Sequence, residues 1–536
     1  MKRFATLLCS LLLFFCLNAA VSAAYTDVPA DSWAGESIEK AAQYDLMQGL
    51  GNGLFGYGNS ISRAEFVTVL VRMLGWDTIG QSAGYTHWAD AYIGAAAQNG
   101  AIDAAESFRP DDAITREEMS VMLVRALGLG ALADEESDAV LPFLDVSKNK
   151  GYIAIAYEIG MTKGMSETEF APNATATREQ AATMLVRIYE KYNRKTEWKH
   201  AFYAISSYSQ IDLVKEFDEV SLGWARMTYS EDSGAKLLTK NTNNNEYYIP
   251  AAYAGVLEEL HEAGVSLKLD VFMSGSSLRK MLADETAREQ AVSEIMNELT
   301  REYADVGYNP YSGVTVDFEG LRASDSENFI AFLTSLKSQL GDRTLYTAVM
   351  PATPDGIYYD GYDFAALGRL CDRVILMAHD YATTNLSGFL GTKYHQTQAL
   401  TPLHKVYYAV RHAARAMDEP EKLALQISMD AMAWKINANE RLTATSPTRP
   451  IHTTVYQRLT NGAVRGWSSS TRNAYATYQT EAGQNIFLWY ENERSIGEKV
   501  GVSKLLGITG VSVWRLGLIP NYADEGLSYD AMRAID

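Results

Sequence analysis

The chain has 536 residues, of which 47% are hydrophobic and 21% are charged, a composition that is ordinary for globular proteins. This length exceeds the size at which a single hydrophobic core keeps growing, so we expect two or more domains. The formal net charge of −19 is spread along the chain, which argues against nucleic acid or an anionic membrane surface as the main partner.

The first residues have the pattern of a secretory signal peptide. Lys2 and Arg3 precede an almost wholly apolar run over 7–17, and small residues stand at 21–23. Because this run is short for a membrane span of about 20 residues, we expect a cleaved signal peptide, residues 1–23, rather than a retained anchor. Two of the three cysteines would leave with it, so the secreted protein would have no internal disulfide. No later run is long and apolar enough to span a membrane, so no membrane partner is expected after cleavage.

Three related segments follow the predicted signal peptide. Each contains Ser or Thr, then Arg, then Glu or Gln three positions after the Ser or Thr, ahead of an apolar run: Ser62–Phe66, Thr115–Met119 and Thr177–Ala181. This spacing is that of a capping box, which predicts the start of a helix in each copy. The arginines of the motif either pair with nearby acids or form anion sites, because a helix N-terminus favours negative charge.

These repeats resemble S-layer homology domains, whose signature is a Thr-Arg-Ala-Glu-like motif. The resemblance implies an N-terminal all-α module of three repeats, at 24–78, 79–132 and 140–193. It also implies retention at the bacterial cell wall through an anionic, pyruvylated wall polymer, with three candidate contacts: Arg63, Arg116 and Arg178. The third copy departs from the motif at Ala176 and Gln180, and the first copy has Ser62, which leaves open that one groove is degenerate.

The rest of the chain alternates strand-like runs with helical patterns. The strand-like runs are 202–206, 217–226, 265–272, 313–319, 345–350, 373–380, 423–430 and 510–516. Eight strands interleaved with helices indicate a (β/α)8 TIM barrel, with a doubly wound open sheet as the alternative. We place this domain at 198–536.

The fourth run contains two acids on one face. Apolar residues alternate with Thr315, Asp317 and Glu319, so these three side chains point the same way. Acids at the carboxyl end of a barrel strand are typical of an active site, and a like-charge pair raises the pKa of one member, which suits a general acid. Taken alone, the pattern also fits solvated acids at the end of a strand.

Other predicted strand ends carry acids and aromatic residues. These are Met377, His379, Asp380 and Tyr381 at the sixth run, Asp430 at the seventh and Trp514 at the eighth. Such a mixture suits a sugar, whose ring stacks on an aromatic plate while carboxylates accept bonds from its hydroxyls. For the tryptophan, filling of the barrel core is an equal alternative.

At this point the sequence resembles family 18 of the glycoside hydrolases. The strand-four signature of that family, Asp-Gly-x-Asp-x-Asp-x-Glu, stands here as Ser312–Glu319, in which the last two acids match. The Met-x-Tyr-Asp pattern of strand six stands as Met377–Asp380. Residues 488–496 and 510–517 look like the bacterial branch that acts on peptidoglycan and spore cortex.

The resemblance implies a substrate-assisted, retaining mechanism in which the N-acetyl carbonyl of the substrate is the nucleophile. Glu319 is then the general acid, Asp317 orients the acetamide, and Asp380 holds the acetamide or the distorted ring. The implied substrate contacts are Thr315, His379, Tyr381, Trp514, Met377 and Asp430. No metal and no cofactor are expected.

Two residues depart from the family pattern. Thr315 replaces an acid that helps to shuttle charge to the Asp317 position, and His379 replaces a tyrosine that contacts the acetyl oxygen. We expect these changes to lower the rate without removing the acid. The predicted function is therefore a wall-anchored, secreted glycosidase acting on polymers that contain GlcNAc, with peptidoglycan as first choice. The alternatives are a chitinase, an inactive carbohydrate-binding protein of chitinase type and a purely structural surface-layer component.

Overall fold

The computed structural model describes residues 25–78, 87–103, 107–242, 245–353, 360–524 and 526–536. The predicted signal peptide and the beginning of the predicted second repeat lie outside these ranges. The chain divides into two compact units: the residues up to Ala126 with Ser137–Glu190, and Leu127–Glu136 with Lys191–Asp536. In the described ranges, no helix has both the length and the apolar character needed to cross a bilayer.

The described part of the first unit contains six α-helices. Their bounds are Gly35–Gln43, Arg63–Met73, Asp90–Gln98, Arg116–Ala126, Lys150–Glu158 and Arg178–Tyr192. The three repeats also meet through isolated antiparallel bridges just before the motif helices, for example Ser62 with Ala113 and Thr115 with Thr175. The described elements of this unit are helical, and the short bridges between repeats depart from a purely helical module.

The predicted capping boxes are present at two of the motif helices. Ser62 Oγ accepts from the Glu65 amide at 3.2 Å, and the Ser62 amide donates to the Glu65 carboxylate at 2.8 Å. Thr115 and Glu118 make the same reciprocal pair. At the third helix the Thr177 amide donates to Gln180, but Thr177 Oγ1 has no hydrogen-bond partner among the described residues. Two caps are therefore complete and the third is half formed.

The described part of the second unit contains fifteen strands. They are β1 (Trp198–Tyr203), β2 (Glu219–Ser230), β3 (Gly234–Leu238), β4 (Ser266–Ser274), β5 (Gly313–Glu319), β6 (Thr344–Val349), β7 (Arg373–Leu376), β8 (Leu423–Ser428), β9 (Met432–Ile436), β10 (Val464–Ser468), β11 (Asn473–Gln479), β12 (Asn485–Tyr490), β13 (Gly510–Trp514), β14 (Asn521–Tyr522) and β15 (Tyr529–Asp530). Its α-helices are Gly130–Glu135, Tyr253–Glu262, Gly275–Ala283, Glu285–Thr300, Ser326–Gln339, Phe364–Leu370, Leu403–Ala416, His452–Thr460, Glu493–Leu505 and Ala531–Ala534.

Eight of these strands close into a parallel barrel. Their order is β1-β13-β8-β7-β6-β5-β4-β2, and β2 pairs with β1 to complete the ring. The barrel prediction is confirmed. The doubly wound alternative is wrong because β1 and β2 pair with each other, whereas in an open sheet they would be two separate edges. Apolar residues on the outer faces pack against the surrounding helices. Phe318, for example, lies 5.2 Å from Phe332 between ring centres.

Three features of the second unit differ from the sequence prediction. β1 begins at Trp198, earlier than expected, because its polar residue His200 lies inside the barrel on hydroxyl partners and breaks the apolar pattern. β7 ends at Leu376, and the next residues turn out of the sheet, with Asp380 at φ 60°. An antiparallel sheet of order β10-β11-β12-β9 was not predicted, because its strands are inserted between two barrel strands.

The complete and incomplete caps lead to a testable prediction. Substitution Ser62→Ala removes the acceptor for the Glu65 amide and should destabilise its helix by about 1 kcal/mol. Thr177→Ala is the matched control and should cost much less, because its hydroxyl accepts no bond. Hydrogen exchange of amides in the first turns of the two helices measures both effects. Equal losses from the two substitutions would contradict this account.

Candidate active site

The acidic face of β5 points into the barrel. Thr315 is fully buried, Asp317 is 3% exposed, and Glu319 lies partly exposed at the end of the strand. The opposite face is apolar and belongs to the hydrophobic core. The predicted alternation is therefore confirmed, and it brings both acids to the carboxyl-end mouth of the barrel, where (β/α)8 enzymes carry out their chemistry.

A third carboxyl lies beside them on the neighbouring strand. Asp270 of β4 is fully buried and pairs in register with Thr315, while Phe272 pairs with Asp317. Neighbouring strands run about 4.8 Å apart, so Asp270 is adjacent to the Thr315 side chain and diagonal to Asp317. The sequence analysis did not name Asp270, although an acid between apolar neighbours in a buried strand was a usable signal.

The pKa values of all three carboxyls are raised, and burial is the main cause for each. Burial raises the pKa of Asp270 well above its ordinary value, and the charge of Glu319 adds to the rise. Burial, Asp270 and Glu319 together raise the pKa of Asp317 in the same way. The pKa of Glu319 is also raised, first by burial and then by Asp380, while His379 opposes the rise. The direction for Glu319 is the predicted one, but the causes are burial and Asp380 rather than the neighbouring Asp317.

Two tyrosines also border the acids. The ring of Tyr247 stacks on Phe272 with centres 4.6 Å apart, and the guanidinium of Arg226 lies 4.9 Å from the same tyrosine ring. Tyr362 donates its hydroxyl to the Phe318 carbonyl at 2.7 Å. Burial and the charges of the acids raise the pKa values of both tyrosines. Both come from segments outside the barrel strands, so strand patterns could not identify them.

On the far side of the mouth, the residues after β7 form a charged cluster. His379 Nδ1 lies 3.0 Å from Asp380 Oδ2, and its Nε2 lies 2.8 Å from Gln426 Oε1. Arg449 Nη1 donates at 3.3 Å to both Asp380 and Asp430. Although burial acts to raise it, these bonds hold the pKa of Asp380 below its ordinary value. Burial and the nearby Asp380 raise the pKa of Asp430.

A chain of hydrogen bonds crosses the barrel and joins the two sides. Thr315 bonds Ser221 at 2.7 Å, and Ser221 bonds His200 at 2.8 Å. The other nitrogen of His200 bonds Ser512 at 2.9 Å, and Gln426 donates to Ser512 at 3.5 Å before reaching His379. Burial lowers the pKa of His200 to about 3, so the ring is neutral.

The remaining predicted substrate contacts line the same mouth to different degrees. Trp514 is partly exposed, lies 5.4 Å from Phe202 between ring centres, and precedes a cis peptide bond to Arg515. Met377 is buried in the cluster against which Trp514 packs. Tyr381 is mostly enclosed, and its hydroxyl has no partner in the described ranges. The tryptophan therefore both fills the core and presents a face to the mouth.

The three motif arginines of the first unit lie in grooves between repeats. Arg63 pairs with Glu118 and Arg178 pairs with Glu65, and both guanidinium groups are mostly buried. Arg116 instead donates to the Phe170 carbonyl and the Thr162 hydroxyl. No carboxylate of the described chain is within ion-pair distance of Arg116, because the third repeat has Gln180 where the others have Glu.

Comparison with known families accounts for both units. A family model described as glycosyl hydrolases family 18 matches residues 185–518. The chain belongs to this family. An S-layer homology domain model matches 24–67, 84–120 and 142–182. Within the described residues of this family 18 protein, no group of three or more His, Cys, Asp or Glu side chains has the arrangement of a metal site.

Curated relatives of this family 18 protein include two cortical fragment-lytic enzymes. Those of Bacillus anthracis and Bacillus subtilis are each 26% identical, over 38% and 45% of this chain and 45% and 53% of the relatives. The chain thus spans about half the length of these relatives. The crystal structure of the Bacillus cereus spore cortex-lytic enzyme SleL aligns with a TM-score of 0.48 and 17% identity, over 64% of this chain and 74% of that chain.

The Arg449 bridge leads to a prediction about proton affinity. Arg449→Ala removes the cation that contacts Asp380 and Asp430, so the pKa of each carboxyl should rise. Carboxyl-carbon NMR titration measures the change. Arg441→Ala is the matched control, since that arginine donates to the Gly391 carbonyl instead. Unchanged titration of both aspartates would show that the bridge does not form in solution.

Proposed function

We propose that this protein is a cell-surface glycosidase that cleaves a polymer containing GlcNAc. The first choice of polymer is peptidoglycan, on which the protein would act as an N-acetylglucosaminidase. The observation that carries the proposal is the placement of Glu319. It stands at the carboxyl end of a barrel strand with its pKa raised, and the buried Asp317 lies two residues earlier on the same face. A carboxylic acid that stays protonated can donate to a glycosidic oxygen.

The proposed reaction uses the substrate's own acetamide. Glu319 gives its proton to the leaving oxygen while the acetamide carbonyl oxygen bonds to the anomeric carbon, and the glycosidic bond breaks. Asp317 accepts a hydrogen bond from the acetamide N–H, and its negative charge offsets the positive charge of the oxazolinium ion. Water then attacks the anomeric carbon with Glu319 as base, which restores the acetamide and the acid.

The far side of the mouth positions the sugar in this proposal. Asp380 has a lowered pKa and is an acceptor for a sugar hydroxyl or the acetamide N–H. His379, held between Asp380 and Gln426, can donate only by exchanging one of those bonds. Trp514 offers an aromatic face beneath the sugar.

Peptidoglycan is favoured over chitin by two observations. The curated relatives include enzymes named for cortical fragments, and the first unit carries wall-associated repeats. Chitin remains the second candidate, because it contains the same N-acetyl group. A carbohydrate-binding protein without activity is the third, and the raised pKa of Glu319 disfavours it.

Attachment to an anionic wall polymer is the proposed role of the first unit, and one groove has the appropriate charge. The Arg116 groove also contains Lys163 and Arg187, and no Asp or Glu is among its described lining residues. The lining of the Arg63 groove includes Asp103, Glu117 and Glu118 against two arginines, and that of the Arg178 groove includes Glu65 against two arginines. We therefore place the anionic ligand in the Arg116 groove, which deviates from the motif by its Gln180.

The catalytic proposal is tested by Glu319→Gln. This substitution keeps the size of the side chain but removes the transferable proton, so release of reducing ends from peptidoglycan should fall by about 10²–10⁴-fold. Glu327→Gln makes the same chemical change at an exposed position eight residues on and should leave the rate unchanged. Equal rates for E319Q and the unsubstituted protein would refute the assignment. Parallel assays on chitin distinguish the two substrates, and binding without release would favour the inactive protein.

The groove proposal is tested by Lys163→Gln in the full chain. Loss of this charge should weaken binding to purified cell walls by about five-fold, the equivalent of about 1 kcal/mol. Lys148→Gln removes a charge from an exposed site outside the groove and is the matched control. Binding of the unsubstituted protein that survives removal of the non-peptidoglycan polymer would overturn the assignment.

A further inference from the structure

Asp270 is a buried acid without a hydrogen-bond partner. Both of its oxygens, and Oδ1 of Asp317, have no partner among the described residues. On the other side of Asp270 lies Gly223 of β2. A Cβ added to this glycine would lie 3.7 Å from Asp270 Oδ2. Asp270 therefore sits between a glycine and Thr315, with Asp317 one step farther toward the mouth.

The charged and titratable groups around Asp270 do not neutralise it. Lys268, one layer deeper on the same strand, donates to Ser266 and Ser312 and pairs with Glu219. Arg226 lies over the rings of Tyr247 and Phe272. The remaining groups that face Asp270 are Asp317, Glu319 and the hydroxyl of Tyr247. None of these supplies a positive charge.

An unpaired carboxylate in such a place is costly, and two adjacent carboxyls do not both ionise readily. The lower-energy arrangement is one proton held between them, as in other carboxyl pairs that share a site. Thr315 cannot share this proton, because its hydroxyl is hydrogen-bonded to Ser221 and carries no charge.

We propose that Asp270 is a positioning residue that shares one proton with Asp317 and so supplies, from β4, the carboxyl that position 315 lacks. The inference rests on the proposed function. When the acetamide N–H turns to Asp317, the shared proton passes to Asp270. Asp317 then bears the negative charge that offsets the oxazolinium ion, and the proton returns when the intermediate is hydrolysed.

The first test is Asp270→Asn. Asn keeps the shape but cannot take up the proton, so kcat should fall by about 10²-fold with little change in KM. The same variant should have a higher Tm than the unsubstituted protein at pH 7, because a buried acid with a raised pKa destabilises the fold above its unfolded pKa of about 3.9. That gain should disappear below that pH. Asp342→Asn, at an exposed turn, is the control for both measurements.

The second test exchanges the two residues. Asp270→Thr alone should lose activity. The double variant D270T/T315D should be at least about ten-fold more active than D270T, because its carboxyl stands at position 315, which pairs in register with position 270. A residue needed only for packing would not be rescued from the neighbouring strand. Wild-type kcat in D270N, or a double variant no more active than D270T, would overturn the proposal.

A third measurement does not depend on folding of the Asp270 variants. Infrared titration of E319Q protein, in which the catalytic acid cannot contribute, should show a protonated carboxyl that persists at neutral pH. Its absence would overturn proton sharing. If E319Q shows this signal but the unsubstituted protein has no activity, the proposed function is refuted and the shared proton stands.

Discussion

The burial of three carboxyls on two adjacent barrel strands is the constraint that organises the second unit. Burial disfavours ionisation of Asp270, Asp317 and Glu319, and the charge of Glu319 further disfavours ionisation of the two aspartates. The outer faces of the barrel pack against helices, and the deeper Lys268 pairs with Glu219 rather than with the acids. Their raised pKa values favour the protonated form, which is the form that acid catalysis on a sugar requires.

The same interior also connects the acids to the opposite side of the mouth. His200 is neutral and fully buried, and it links the hydroxyls of Ser221 and Ser512. Through this chain, Thr315 is joined to Gln426 and then to His379. A fully bonded polar network in a barrel interior fixes side-chain orientations that apolar packing alone would leave free. Thr315 therefore has a role in this chain as a hydrogen-bonding residue, beside an acid that comes from the next strand.

The first unit shows how one repeated motif yields three different sites. Each motif arginine enters a groove against the neighbouring repeat, where Arg63 and Arg178 pair with a glutamate. Arg116 forms no such pair, although the charge of Asp145 acts on it. In the paired grooves the guanidinium is occupied by an internal contact between repeats. The departure from the motif at Gln180, which on sequence grounds left degeneration of a groove open, instead removes a competing carboxylate. In the proposed attachment, the anionic ligand is selected by net charge in the groove rather than by fidelity to the motif.

Local patterns in the sequence determined much of this protein. The capping boxes at Ser62 and Thr115, the eight strand-like runs and the common face of Asp317 and Glu319 all follow from period and propensity over a few residues. Only the tertiary structure decided that β4 brings Asp270 beside Thr315, that Arg449 reaches Asp380 from an inserted segment, and that Arg116 lacks an acid partner. These contacts join residues far apart in the chain, and strand register and groove packing, which no local pattern encodes, decide which of them meet.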